Sequence, residues 1–234
     1  MAAPIRRIVS LVPSTTASVF ALDCGDRLVG CTRYCDGPES VQRVGGTKNP
    51  ALEAIAALRP DLVLVNAEEN EPDHIAWLRA RLPVLQHTPL DVAEACSDLR
   101  ELALHLDAGE AVQPLLLRIE AQLAAAEVRR LGQPNRRVFY AVWPTPWMSV
   151  NRHTFISDVL RLAGADNVCA DAAARYPEVT PAAVLARRPD LVLLPSEPWE
   201  FDTEQRDELA RAHTFGGAAL VLCDGRDFCW HGAW

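Results

Sequence analysis

The sequence lacks the features that mark membrane-spanning and nucleic-acid-binding proteins. Its N-terminal apolar segment, residues 8–12, is much shorter than a membrane span or the apolar part of a secretion signal. The net charge is -8 and the basic residues, mostly arginine, are scattered, whereas phosphate binding needs a basic stripe. We therefore predict no membrane insertion and no nucleic-acid partner. The chain as it stands is expected in the cytosol, and a chain trimmed of a signal peptide would be periplasmic.

Cysteine pairs and enzyme motifs are missing as well. The seven cysteines are an odd number and form no CxxC pair, so neither a zinc ribbon nor a disulfide framework is suggested. The six histidines show no HExxH motif or other paired spacing, so any metal-ligating residue is unknown. A glycine-rich GxGxxG turn after a strand, a phosphate-binding loop and a GxSxG elbow are also absent. Nothing in the sequence requires catalysis, and we expect no cofactor of the protein's own.

One hexapeptide, Arg-Pro-Asp-Leu-Val-Leu, is present twice, at residues 59–64 and 188–193. Each copy follows a helical pattern and runs into an unbroken apolar strand of the kind that parallel sheets bury on both faces. Each also follows a β-rich opening, at residues 7–9 and 137–140. A Pro-Asp turn can join any helix to a strand, but the shared context favours a duplicated lobe.

Two helical patterns separate the copies, at residues 91–106 and 114–131. The second, at 1.5 Å per residue, would span roughly 27 Å and make a stiff connector. We therefore predict an α/β fold in which two similar lobes with central parallel sheets are joined by a long rigid helix. The predicted divisions are an N-terminal lobe 1–107, a connecting helix 108–133 and a C-terminal lobe 134–234. We expect a monomer.

Three segments carry a resemblance to a known family. They are residues 8–16 (IVSLVPSTT), residues 44–50 (VGGTKNP) followed by Glu53, and the doubled hexapeptide. Together they resemble the helical-backbone (class III) substrate-binding proteins of ABC transporters, which bind iron-siderophores, haem or vitamin B12, and most closely the cobalamin-binding branch. The resemblance implies the class III periplasmic-binding-protein fold, with the ligand held in a cleft between the lobes. It also implies an ABC permease partner that docks on Glu53, although the matching position of the second copy is Ala182.

Ligands of such lobes gather where loops leave the carboxyl ends of the strands. The candidates of the first lobe are Pro13, Ser14, Thr15, Tyr34, Thr47, Lys48, Glu68, Glu69 and Asn70. Those of the second lobe are Trp143, Trp147, Tyr176, Glu197, Trp199, Trp230 and His231. The resemblance implies that Tyr34 and Tyr176 line the cobalamin cleft, whereas Thr47 and Asn66 stand at two positions that are often tryptophan in the family.

Aromatic faces bury a flat macrocycle well, and carboxylate or imidazole groups can ligate a metal or form a polar rim. We therefore predict a substrate-binding protein for a cobalamin-like corrinoid, haem or a metal chelate, acting in ABC-type uptake. For Trp143 and Trp147, packing under a loop is an equal alternative. A second hypothesis is a cytosolic sensor, carrier or accessory protein of the same fold. A third is a hydrolase, which would require Ser14 within hydrogen-bond distance of His231.

Overall fold

The computed structural model describes residues 4–233. Within them the chain divides into two compact units. The first unit contains residues 4–89, 93–118 and 231–233, and the second contains residues 90–92 and 119–230. None of the helices in the described part combines the length and the apolar character that crossing a membrane requires.

The first unit is built on a five-stranded parallel sheet. Its elements are β1 (Ile8–Ser10), α1 (Pro13–Ala21), a 3-10 turn (Gly25–Arg27), β2 (Leu28–Cys31), β3 (Gln42–Arg43), α2 (Leu52–Ala57), β4 (Leu62–Val65), α3 (Pro72–Arg79), β5 (Val84–Gln86) and α4 (Val92–His105). The strand order is β3-β2-β1-β4-β5. All residues of β1 and β4 are buried, as expected for central strands of a parallel sheet.

The long helix α5 (Gly109–Arg130) belongs to the first unit up to Arg118 and to the second from Ile119. The sequence predicted a helix that starts at Pro114, and this boundary is wrong because Pro114 lies inside the helix. Proline there removes one backbone hydrogen bond, which the helix tolerates so close to its N-terminus. The predicted domain boundaries at residues 107 and 133 stay predictions.

The second unit contains a four-stranded parallel sheet with the order β11-β10-β6-β9. Its elements are β6 (Arg136–Tyr140), β7 (Trp143–Pro144), β8 (Trp147–Met148), α6 (Phe155–Leu162), β9 (Ala165–Asn167), α7 (Pro181–Ala186), β10 (Leu191–Pro195), α8 (Thr203–Arg211), β11 (Ala219–Cys223) and α9 (Arg226–Cys229). Strands β7 and β8 pair as a separate antiparallel ribbon.

The repeated hexapeptide forms the same turn in both units. The backbone N–H of Asp61 donates to the Arg7 carbonyl at 2.8 Å, and that of Asp190 donates to the Arg137 carbonyl at 2.8 Å. The aspartate side chains bond the same two arginines. Asp61 Oδ2 accepts from the Arg7 N–H at 2.9 Å, and Asp190 Oδ2 accepts from the Arg137 N–H at 2.8 Å.

The arginine that opens each hexapeptide has a left-handed backbone, with φ of 47° at Arg59 and 49° at Arg188. The turn therefore aligns the strand after it with the strand that opens each unit, β1 with β4 and β6 with β10. The predicted α/β fold with parallel sheets is confirmed.

Candidate functional site

Asn70 organises the loops at the carboxyl ends of the strands in the first unit. Its side chain is 1% exposed. The amide oxygen accepts a hydrogen bond from the Asn66 N–H at 2.9 Å, and the amide nitrogen donates to the carbonyls of Leu11 at 3.2 Å and Thr47 at 3.0 Å. One buried side chain thus connects the loops after β1, after β3 and after β4, which is why these loops hold a defined shape.

Asn66 is the first residue after β4, and it was missing from the predicted site. Its side-chain oxygen accepts from the backbone N–H of Glu68 at 2.7 Å and of Glu69 at 3.3 Å. Its amide nitrogen lies 3.1 Å from His231 Nε2. The signal in the sequence was its position, because the residue directly after a buried parallel strand lies at the edge where ligands bind.

His231 packs within the first unit, although its position in the sequence predicts a candidate of the second lobe. Its Nε2 lies 3.4 Å from Ser14 Oγ, in the first turn of α1, in addition to its contact with Asn66. Burial, with a smaller effect from His87, lowers the pKa of His231 to about 4. The ring is therefore neutral at pH 7, and the Asn66 amide donates to Nε2, which leaves that nitrogen as an acceptor.

The other candidate residues of the first unit differ in their exposure to solvent. Tyr34 is 60% exposed, in the loop after β2. Lys48 is exposed too, but its Nζ donates to the Glu68 carbonyl at 2.8 Å and lies 3.4 Å from Glu71 Oε1. Thr15 is buried in the first turn of α1, and Pro13 is half-buried there. Tyr34 is thus the largest apolar face that this group of candidates offers to solvent.

The tryptophans of the second unit have different roles. Trp147 stacks on Phe201 at 6.0 Å between ring centroids and meets Phe215 edge-on at 5.1 Å, so it packs against the core of this unit. Trp143 is 36% exposed and packs edge-on against Trp199 at 4.8 Å. Trp147 is thus packed against core aromatic rings, whereas Trp143 is partly exposed to solvent.

Glu197 and Trp230 form a polar contact at the carboxyl end of β10. Glu197 Oε2 accepts from Trp230 Nε1 at 3.0 Å, and the Arg226 guanidinium lies 5.7 Å from the Trp230 ring centroid. Hydrogen bonds from Arg226 lower the pKa of Asp224. Tyr176 is half-buried against the core around Tyr140. The second unit therefore places both charged and aromatic groups at this edge.

The surface helices α2 and α7 carry the positions that concern docking. Glu53 is the second residue of α2, and Ala182 is the second residue of α7. Both side chains are exposed. The two helices are equivalent in length and in place within their units, but only the first one presents a carboxylate at this position.

Comparison with known proteins identifies the family. A vitamin B12-binding protein of Yersinia pestis (strain Pestoides F) is 28% identical over 193 residues, which are 81% of this chain and 69% of the relative. The crystal structure of the periplasmic vitamin B12 binding protein BtuF of Vibrio cholerae matches with a TM-score of 0.83 and 22% identity, covering 97% of this chain and 91% of that one.

A periplasmic heme-binding protein, RhuT of Roseiflexus sp. RS-1, matches with a TM-score of 0.80 and 24% identity, over 98% of this chain and 93% of that one. The resemblance to class III binding proteins is thereby confirmed. The periplasmic binding protein family matches residues 8–218. Because that match spans most of the sequence, the chain belongs to the periplasmic binding protein family.

Proposed function

We propose that this protein binds a cobalamin-like corrinoid, haem or a metal chelate, with Tyr34 and Trp143 as aromatic contacts. The observation that carries the proposal is that both side chains are large, aromatic and open to solvent, three residues beyond the last residue of a parallel strand. Exposed aromatic faces at such an edge favour a flat macrocyclic ligand. The names of the relatives, which bind vitamin B12 or haem, support the same ligand class.

Calorimetric and spectroscopic titration of the purified protein with cyanocobalamin, haemin and a ferric siderophore tests the proposal. We expect one of them to bind, and Tyr34→Ala and Trp143→Ala each to weaken it by about tenfold, equivalent to 1.4 kcal/mol. Leu117→Ala is the matched control, because Leu117 is also a large exposed apolar residue but lies on α5. Absence of binding to all three ligands, or equal affinity in all variants, would contradict the proposal.

The second part of the proposal is delivery of the ligand to an ABC permease in the periplasm, with Glu53 as a docking residue. An exposed carboxylate on a short surface helix suits an arginine of a partner. We expect Glu53→Arg to lower ligand uptake by cells without changing the affinity for the ligand, and Ala182→Glu to raise uptake. Glu127→Arg, an equal charge change on α5, should leave uptake unchanged.

Unchanged uptake in Glu53→Arg would remove this docking role. Recovery of the native protein in the cytosolic fraction would favour the accessory or sensor role instead.

Catalysis by Ser14 and His231 has one observation in its favour, the 3.4 Å separation of Ser14 Oγ and His231 Nε2. Against it, the Asn66 amide lies closer to the same nitrogen, at 3.1 Å. A general base needs that lone pair to take the serine proton. We therefore infer a binding protein without hydrolase activity. Ester hydrolysis that disappears in Ser14→Ala would overturn this inference.

A further inference from the structure

Three side chains of the types that ligate metals lie together in the first unit, and none of them is among the candidates of the predicted site. His87 follows β5, and Asp98 and Glu101 are on neighbouring turns of α4. His87 Nε2 lies 3.2 Å from Glu101 Oε2, and the ligand atoms of all three residues lie within 4.8 Å of one another. The His87 side chain is 7% exposed. The histidine spacing in the sequence gave no sign of this group, because its members come from a loop and a helix.

A second observation concerns Asp98 alone. Its Oδ2 is buried and has no hydrogen-bond partner. A buried carboxylate oxygen without a partner has lost its hydrogen bonds to water and gained none in the protein, and native structures leave few of them. Such an oxygen, on a carboxylate that lies beside an imidazole and a second carboxylate, suits a bound cation.

We propose that His87, Asp98 and Glu101 bind a divalent transition-metal cation, for which Zn²⁺ is the best match. Two carboxylates balance the two positive charges of the cation, and the imidazole supplies a nitrogen ligand. Ligand atoms about 2.0–2.1 Å from a tetrahedral zinc ion are about 3.3 Å apart, close to the separation of His87 Nε2 and Glu101 Oε2. The hard cations Mg²⁺ and Ca²⁺ prefer sets of oxygen atoms alone, so the histidine disfavours them.

His105 extends the proposed site. It lies one turn after Glu101 on α4, and its Nε2 is 3.9 Å from Glu101 Oε1. Its side chain is 45% exposed, so it can rotate towards a bound ion. Zinc sites with three protein ligands keep a fourth position for water or another group, and His105 is the nearest candidate for it.

The competing explanation is the pairing of His87 with Glu101 alone, with no ion. Titration of EDTA-treated protein with Zn²⁺ by calorimetry separates the two. The metal site predicts one Zn²⁺ per chain and affinity reduced by about tenfold or more in both Asp98→Asn and Glu101→Gln. Glu110→Gln, an exposed carboxylate on α5, is the matched control and should bind as the wild type does.

Co²⁺ provides an independent readout, because visible absorption bands report its ligands. We expect such bands in the wild type and their loss in Glu101→Gln, which changes a side chain that is 52% exposed and therefore leaves folding intact. Failure of the wild type to take up Zn²⁺, or wild-type affinity in Glu101→Gln, overturns the proposal and leaves the ion pair. If Asp98→Asn does not fold, the comparison of Glu101→Gln with Glu110→Gln decides.

Discussion

The two units contain the same hexapeptide turn, but different chemistry stabilises the loops that follow it. Eleven residues after the first arginine of each copy stand Asn70 in the first unit and Trp199 in the second. Asn70 bonds three backbone groups, whereas Trp199 packs on Trp143 and leaves its buried Nε1 without a hydrogen-bond partner. The backbone geometry of the turn is thus maintained while the loop ends differ.

The largest loss of stability should come from removing the Asn70 side chain. Asn70→Ala leaves one backbone N–H and two carbonyls without their bonds, and we expect the free energy of unfolding to fall by about 4 kcal/mol. The counterpart, Trp199→Phe, keeps an aromatic ring and removes the unpaired N–H, so its change should be within about 1 kcal/mol. Urea denaturation measures both. Equal losses in the two variants would contradict the contrast between a polar and an aromatic loop.

The folding stability of the protein should fall at acid pH because His231 in the first unit resists protonation. Its pKa is about 4 in the folded protein against an ordinary value of 6.5, so the unfolded chain binds the proton more readily. The stability contributed by the neutral ring is therefore complete above pH 6.5 and is lost as pH falls towards 4. The loss at the lower end should reach about 3 kcal/mol.

Denaturation at a series of pH values checks this, with His231→Gln and His153→Gln compared with the wild type. His153 is an exposed histidine of the second unit. The drop between pH 6.5 and 4 should shrink in His231→Gln and persist in His153→Gln. A drop of the same size in all three proteins would show that His231 is not its cause.

Most of the fold could be predicted from the sequence because it depends on local patterns. The apolar run of residues 62–65 and the Arg-Pro-Asp turn identify a buried parallel strand without knowledge of its neighbours. The helical pattern of residues 114–131 places the helix start at Pro114, because proline is common at the first turn of a helix, whereas α5 starts at Gly109 and contains Pro114 at an internal position. Helix boundaries depend on such small differences in free energy, and local rules cannot resolve them.

The site was less predictable, since its contacts join residues that are far apart in sequence. Asn66 and His231 are 165 residues apart, and no periodicity relates them. His87 meets Asp98 and Glu101 only because β5 ends beside α4. Trp147 shows the reverse case, because a tryptophan between loops matches a ligand contact and a core residue equally well. Its packing on Phe201 and Phe215 is visible in the structure and not in the sequence.

Removing the aspartate of the shared turn should lower the free energy of unfolding more in the first unit than in the second. Asp61 Oδ2 accepts from the N–H groups of both Arg6 and Arg7, each at 2.9 Å, whereas Asp190 Oδ2 accepts from the Arg137 N–H. We expect Asp61→Ala to cost about 2 kcal/mol and Asp190→Ala about 1 kcal/mol, since these bonds lie near solvent. Thermal or urea denaturation measures the difference. An equal or larger loss in Asp190→Ala would contradict the expectation that the second hydrogen bond makes Asp61 the more stabilising of the two.

The smallest effect concerns the arginines with a left-handed backbone, Arg59 and Arg188. Glycine adopts this conformation without the steric cost of about 1 kcal/mol, but it also loses more entropy on folding. Arg59→Gly and Arg188→Gly should therefore each stabilise the protein by about 0.5 kcal/mol. The same change at Arg118, an exposed residue inside α5, should destabilise it by about 1 kcal/mol. Equal gains in the free energy of unfolding at the two turns would mean that the backbone of the repeated hexapeptide is equally strained in both units. A gain at only one turn would mean that only that unit holds the strain.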